Sequence, residues 1–152
     1  ITSAGGTLTL TGSVTADDKV YDGTVVASGS AVGLALAGLV AGDQVSIAGV
    51  TLAFQTAAAG AAKRVAITAV TLAGADAARY AVSLAGAPSA TATITPRPLS
   101  IGGAFTAADK PYDGTAAATI ATSALTLAPV VAGDVVALTG VTAAFASPTV
   151  GT

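Results

Sequence analysis

The sequence contains no Cys, His, Met, Trp, Glu or Asn, and all eight of its acids are Asp. Without His or Cys there is no Ser–His–Asp or Cys–His nucleophile, and without Cys there is no disulfide or zinc–thiolate site. A chain free of Cys is compatible with any compartment. Charged residues make up 9% and the net charge is -2, which excludes a basic nucleic-acid patch, a coiled coil and a charge-driven disordered tail. Mean hydropathy is high at +0.78, yet no membrane span is expected. The longest apolar stretch, residues 31–42, is broken by glycines, stops at Asp43 and falls short of the about 20 residues a bilayer requires. No charged segment followed by an apolar one opens the sequence, so no signal peptide is read there. What is abundant is small. The 152 residues average about 93 Da against an ordinary value of about 110, being mostly Ala, Gly, Ser, Thr and Val.

The small residues are arranged as a repeat. Ala16-Asp17-Asp18-Lys19-Val20-Tyr21-Asp22-Gly23-Thr24 returns as Ala107-Ala108-Asp109-Lys110-Pro111-Tyr112-Asp113-Gly114-Thr115. The same offset carries Val40–Asp43 onto Val131–Asp134, Gly49–Thr51 onto Gly140–Thr142, and Phe54 onto Phe145, without a gap. Roughly 25 of 55 aligned positions are identical, far more than biased composition supplies at one fixed offset. The expected organisation is a tail of a preceding repeat at 1–6, a complete repeat of about 91 residues at 7–97, and the N-terminal part of a second at 98–152. The second repeat is read as incomplete, with an open hydrophobic face, so the 152-residue chain is expected to aggregate, oligomerise or have a poorly ordered second half.

Alternation of apolar and polar residues predicts strands at Thr7–Thr11, Val45–Ile47, Val65–Thr68, Tyr80–Leu84 and Ala90–Ile94. Phase slips between Ile47 and Val50 and between Ile67 and Val70 predict bulges. The Ala-rich stretch 56–62 reads as a loop because it is short and contains Gly60. Pro96-Arg97-Pro98 reads as a stiff linker. The expected core is Leu8, Leu10, Val45, Ile47, Phe54, Val65, Ile67, Tyr80, Val82 and Ile94, each worth about 1.5–3 kcal/mol when buried. Seven or so short strands in such a unit suit an all-β class of tandem immunoglobulin-like sandwiches. Asp76-Ala77-Ala78-Arg79-Tyr80, lying between two strands, resembles the corner that introduces strand F of immunoglobulin domains, whose Tyr hydroxyl bonds nearby backbone.

The most distinctive motif, Lys-x-Tyr-Asp-Gly-Thr at 19–24 and 110–115, is explained by structure. Asp22-Gly23 and Asp113-Gly114 are turn dipeptides with a carboxylate able to accept backbone N–H groups, and Tyr21 and Tyr112 pack beneath them. Its functional alternative would make Asp18, Asp22, Asp43, Asp109, Asp113 and Asp134 calcium ligands at the joint between repeats. Their spacing matches no calcium loop and no bidentate Glu exists, so turn and cap roles are preferred and no cofactor is expected. Lys63-Arg64, the one adjacent basic pair, reads as a solvated strand end, with sugar or acidic-polymer contact as the alternative. The Gly-rich stretches lack the downstream Lys and helix of a phosphate loop.

Ala-Asp-Lys-x-Tyr-Asp-Gly-Thr, Leu36-x-Gly38, Ala-Gly-Asp-x-Val at 41–45, Phe54, Gly60, Lys63-x-Val65, the 72–80 segment and Ala92–Leu99 together resemble the YDG-type repeat. This repeat occurs in very large secreted bacterial proteins, including filamentous-haemagglutinin-like adhesins. The resemblance implies a non-catalytic stalk or spacer of a cell-surface or secreted adhesin or fibre, with neighbouring repeats as partners and no catalytic residue. Arg79 stands where the family often has Asn. Two alternatives remain open: a module that recognises a glycan or host protein through its loops, and a filament subunit that assembles homotypically by strand exchange.

Overall fold

The computed structural model describes residues 5–151. They are all-β, with one short 3₁₀ turn at Ala77–Arg79 as the helical element among them. No helix among the described residues is long and apolar enough to cross a membrane. The chain forms two compact units that meet in sequence at Arg97 and Pro98.

The first unit contains β1 (Thr7–Gly12), β2 (Thr15–Ala16), β3 (Lys19–Val20), β4 (Val26–Ala27), β5 (Gly29–Ser30), β6 (Leu34–Ala37), β7 (Ser46–Phe54), β8 (Gly60–Ala73), β9 (Ala81–Ser83) and β10 (Ser89–Thr95). One sheet has the order β6-β1-β9 and the other β3-β10-β8-β7-β4, while β2 and β5 pair separately. Neighbours are antiparallel except that β1 runs parallel to β9 and β3 parallel to β10. The expected tail at 1–6 is described only at Gly5 and Gly6, Ile1–Ala4 lying outside the described residues. Gly6 accepts the Ala81 N–H at 3.2 Å, which leads the chain directly into β1.

Strand alternation explains the core. The Thr-Leu-Thr-Leu run of β1 turns Leu8 and Leu10 inward, β8 contributes Val65 and Ile67, and β10 contributes Ala92 and Ile94. Leu10, Val14, Leu52, Phe54, Val65, Ile67, Ala92 and Ile94 form one buried cluster drawn from both sheets. Val45, Ile47, Tyr80 and Val82, read as core from their spacing, are half-buried, with Ile47 and Val82 packed against the cluster. Val14, Leu52 and Ala92 are buried although the expected core did not include them.

Both expected bulges lie in the β7–β8 ladder. The pairing passes from Ile47↔Leu72 to Gly49↔Thr71, skipping Ala48, and from Thr51↔Ala69 to Leu52↔Ile67, skipping Thr68. One extra residue on each strand returns the partners to register, and each reverses which face the following side chains occupy. A third irregularity lies between β8 and β10, where Ala92 opposes Lys63 but Ile94 opposes Gly60. Ala62 sits within it at φ +49°, a left-handed conformation that costs a residue with a Cβ about 1–2 kcal/mol. Of the 56–62 stretch read as a loop, 56–59 is irregular, but Gly60–Ala62 already belong to β8. Lys63 closes the irregular part by donating from Nζ to Thr56 Oγ1 at 2.6 Å and to the Ala58 carbonyl.

The second unit contains β11 (Ser100–Gly102), β12 (Phe105–Ala107), β13 (Ala117–Ala118), β14 (Ile120–Ser123), β15 (Thr126–Ala128) and β16 (Ala143–Ala144). Its ladders repeat those of the first. Ile101↔Leu127 in β11–β15 matches Leu10↔Leu36 in β1–β6, and Ala118↔Ala143 in β13–β16 matches Ala27↔Leu52 in β4–β7. The β12–β14 pair corresponds to β2–β5, with the register slipping by one residue at Thr106. The packing differs completely. No described residue of the second unit is buried.

Candidate functional site

Lys19 leaves β3 with its ammonium turned back over the Asp22-Gly23 turn. Its Nζ donates to Asp22 Oδ1 at 2.7 Å and to the carbonyls of Thr24 at 2.9 Å and Val26 at 3.0 Å, with Thr24 Oγ1 at 3.1 Å. The same Nζ stands 5.6 Å from the centre of the Phe54 ring, so the cation is held between a carboxylate, backbone oxygens and an aromatic face. Asp22 Oδ1 also accepts the Thr24 N–H and the Thr24 hydroxyl, both at 2.9 Å. Gly23 takes φ +79° at the corner, the conformation for which the motif uses glycine. The hydrogen bond from Lys19, followed by those from Thr24, holds the Asp22 carboxyl down to about 2. Tyr21 packs against the buried cluster, and its N–H extends the β3–β10 ladder by donating to Thr95 O at 2.8 Å.

The second unit reproduces this turn. Lys110 Nζ donates to Asp113 Oδ1 at 2.8 Å and to the Thr115 carbonyl at 2.9 Å, and lies 5.9 Å from the Phe145 ring centre. Asp113 accepts the N–H and hydroxyl of Thr115, both at 2.9 Å, and its carboxyl is likewise held to about 2, first by Lys110. Gly114 takes φ +75°. Tyr112, however, is 70% exposed.

A second site joins the 3₁₀ turn to the loop before β7. Tyr80 donates its hydroxyl to Asp43 Oδ2 at 2.5 Å and accepts the Val40 N–H at 3.3 Å. Asp76 accepts the Gln44 N–H at 2.9 Å, returns its own N–H to Gln44 O at 3.2 Å, and pairs with Arg79 at 3.0 Å. Gly74, at φ +120°, allows this approach because a Cβ there would lie 2.1 Å from the Gln44 carbonyl oxygen. The corner resemblance thus lands on a real tie, but its partners are 37 and 40 residues upstream rather than adjacent backbone. Its hydrogen bond to Asp43 pushes the Tyr80 hydroxyl above its ordinary pKa.

Among the described residues no three metal-ligating side chains come together. Of the six aspartates weighed for calcium, Asp22 and Asp113 hold their turns, Asp43 holds Tyr80, and Asp18 accepts the Thr93 N–H at 2.6 Å, opposite the Ala62 bulge. Asp109 is exposed, and the Asp134 N–H closes its own turn onto Val131 O at 3.0 Å. Sequence reasoning placed Lys19, Thr24, Lys110 and Thr115 in the motif without giving them a role in the turn, and did not connect Phe54 and Phe145 with it. Their return at the common offset was the available signal.

An open groove of about 650 Å³ in the first unit runs between β6 and β7, past Leu34, Leu36, Val45, Ile47 and Val50, with no charged or aromatic side chain in its lining. A smaller one of about 130 Å³ in the second unit is bounded by Lys110, Tyr112, Asp113 and Phe145.

Two sheets closing on one core, with polar motif side chains tied into the backbone of their own unit, define an all-β repeat domain. The chain belongs to the YDG domain family, whose model matches residues 4–92 and again 95–152. No curated protein and no solved structure matches it.

Proposed function

We propose that the chain is part of a non-catalytic stalk of a bacterial cell-surface or secreted adhesin or fibre, built from tandem immunoglobulin-like sandwiches of about 91 residues. The observation that carries this reading is where the motif polar groups go. Lys19, Asp22 and Thr24 satisfy one another, Asp43 and Asp76 fasten the Tyr80 corner, and Lys110, Asp113 and Thr115 repeat the first arrangement. A residue set spent on internal ties suits a load-bearing spacer better than a ligand site. Short connections of the Pro96-Arg97-Pro98 type limit bending between repeats.

The test has two parts. Antibodies against residues 5–97 should label intact cells or the secreted fraction of the source organism, and labelling confined to the cytosol would overturn the location. The purified chain should show no saturable binding on a glycan array. Saturable micromolar binding lost in Tyr112→Ala would favour the ligand-binding alternative, for which the Lys110–Tyr112–Phe145 groove offers aromatic and charged groups together.

A further inference from the structure

The two sheets of the first unit guard their outer strands differently. On the five-stranded sheet Lys19 reaches from β3 to the Val26 carbonyl of β4, so one cation stands at both edges. On the three-stranded sheet β6 pairs with β1 on one side and with no strand among the described residues on the other. Its hydrogen-bonding phase is set by the Ser13 N–H, which donates to the Gly33 carbonyl at 3.1 Å. In the register Leu10↔Leu36 and Thr11↔Ala35, Gly33, Ala35 and Ala37 therefore bond toward β1, while Leu34 and Leu36 turn their N–H and C=O groups outward. The Leu34 N–H closes a turn onto Ala31 O at 2.9 Å, whereas the Leu36 N–H and C=O meet no partner among the described residues. The second unit repeats the phase: the Ala124 N–H donates to Ala104 O at 2.8 Å, and Leu127 of β15, opposite Ile101, turns outward in the same way.

We propose that the free edge of β6 is a pairing surface for β6 of a second copy of this chain, joined antiparallel about a two-fold axis through Leu36 and perpendicular to the sheet. Leu36 then exchanges both N–H···O=C bonds with Leu36 of the second copy, and Ala35 lies opposite Ala37. This register uses the outward N–H that is left free and spares the Leu34 N–H, which its own turn occupies. Charge favours a copy as the occupant. Residues 23–42 contain no charged side chain and no Pro, so identical strands meet without like-charge repulsion and without a missing donor. Space favours it too. The open groove of about 650 Å³ lies beside β6, and the axis keeps both copies of Leu34 and Leu36 on one face, toward Ile47 and Val50 across that groove. Because the same edge returns in β15, a tandem chain carries one per repeat, and pairings that are weak singly add along two aligned chains.

The experiment follows hydrogen exchange at single amides of the full chain as its concentration is raised to about 1 mM. The Leu36 amide should slow with concentration, while those of Ala35 and Ala37, already bonded to β1, should not change. Ala35→Lys with Ala37→Lys sets like charges opposite each other at two positions and should raise the concentration needed by at least about tenfold. Both side chains point away from the core, so unchanged protection of β8 certifies that this variant remains folded. An equimolar mixture of it with Ala35→Asp, Ala37→Asp chain should restore the slow exchange at Leu36, since each Lys then faces an Asp. Exchange at Leu36 that ignores concentration, or slowing that the lysines do not shift, overturns the proposal. So does a Leu36 amide that ignores concentration but slows when a synthetic Thr-Val-Thr-Val-Thr peptide is added, which would assign the edge to a strand of another protein.

Discussion

Phe54 and Phe145 occupy the same place in the repeat, each beneath the lysine of an identical turn, yet only Phe54 is buried. The comparison separates two kinds of structure that a complete repeat blends. Turns and short ladders depend on residues within about 30 positions of one another and form in both units. The core depends on β8 and β10, which bring Val65 and Ile94 across more than half the unit, and it exists only where they do.

The largest effect should come from truncating the two phenylalanines. Phe54→Ala removes a buried ring and should cost about 3–5 kcal/mol in urea unfolding of the first unit, whereas Phe145→Ala should cost less than about 1. Equal losses would mean that Phe145 is covered in solution. The turns should behave alike under acid. Both Asp22 and Asp113 titrate near 2, below the ordinary 3.8, so the stabilisation they give is complete above about pH 4 and disappears as pH falls through 2. Carboxyl chemical shifts should give matching midpoints, and Lys19→Gln should raise that of Asp22 while leaving Asp113 where it is.

A subtler contrast concerns Tyr80, whose hydroxyl takes the Val40 N–H. Tyr80→Phe should speed hydrogen exchange at Val40 with no change at the equivalent Val131, and equal acceleration at both would show a general loosening. Smallest is Ala62→Gly. It releases the left-handed strain of the β8 bulge at some cost in chain entropy, and should stabilise the first unit by less than about 1 kcal/mol in thermal unfolding.

Much of this arrangement was legible in the amino acids. The repeat offset located both turns, and alternation found Leu8, Leu10, Val65, Ile67 and Ile94, because period-2 patterns persist in strands long enough to count. Slips in that pattern located the Ala48 and Thr68 bulges. Two-residue strands such as β2 and β5 carry no period, and Ala92 is too small to stand out in a sequence full of alanine. The partner of Tyr80 lies in a loop 37 residues away, and only the sheet order brings Asp43 to it. The parallel pairs β1–β9 and β3–β10 were equally hidden, since nothing local records which distant strands become neighbours. Lys19 was visible, but its four oxygen neighbours were not, because they depend on how sharply the turn folds back.

Those parallel pairs also decide how the first unit meets a pulling force. β3 lies near its beginning and β10 at its end, running side by side in one direction. Tension applied at the two ends draws such strands past each other lengthwise, so the bonds of the ladder, with the Tyr21–Thr95 bond beside them, must break together in shear rather than peel one at a time. In single-molecule pulling the first unit should therefore rupture abruptly at high force, well after the second has extended.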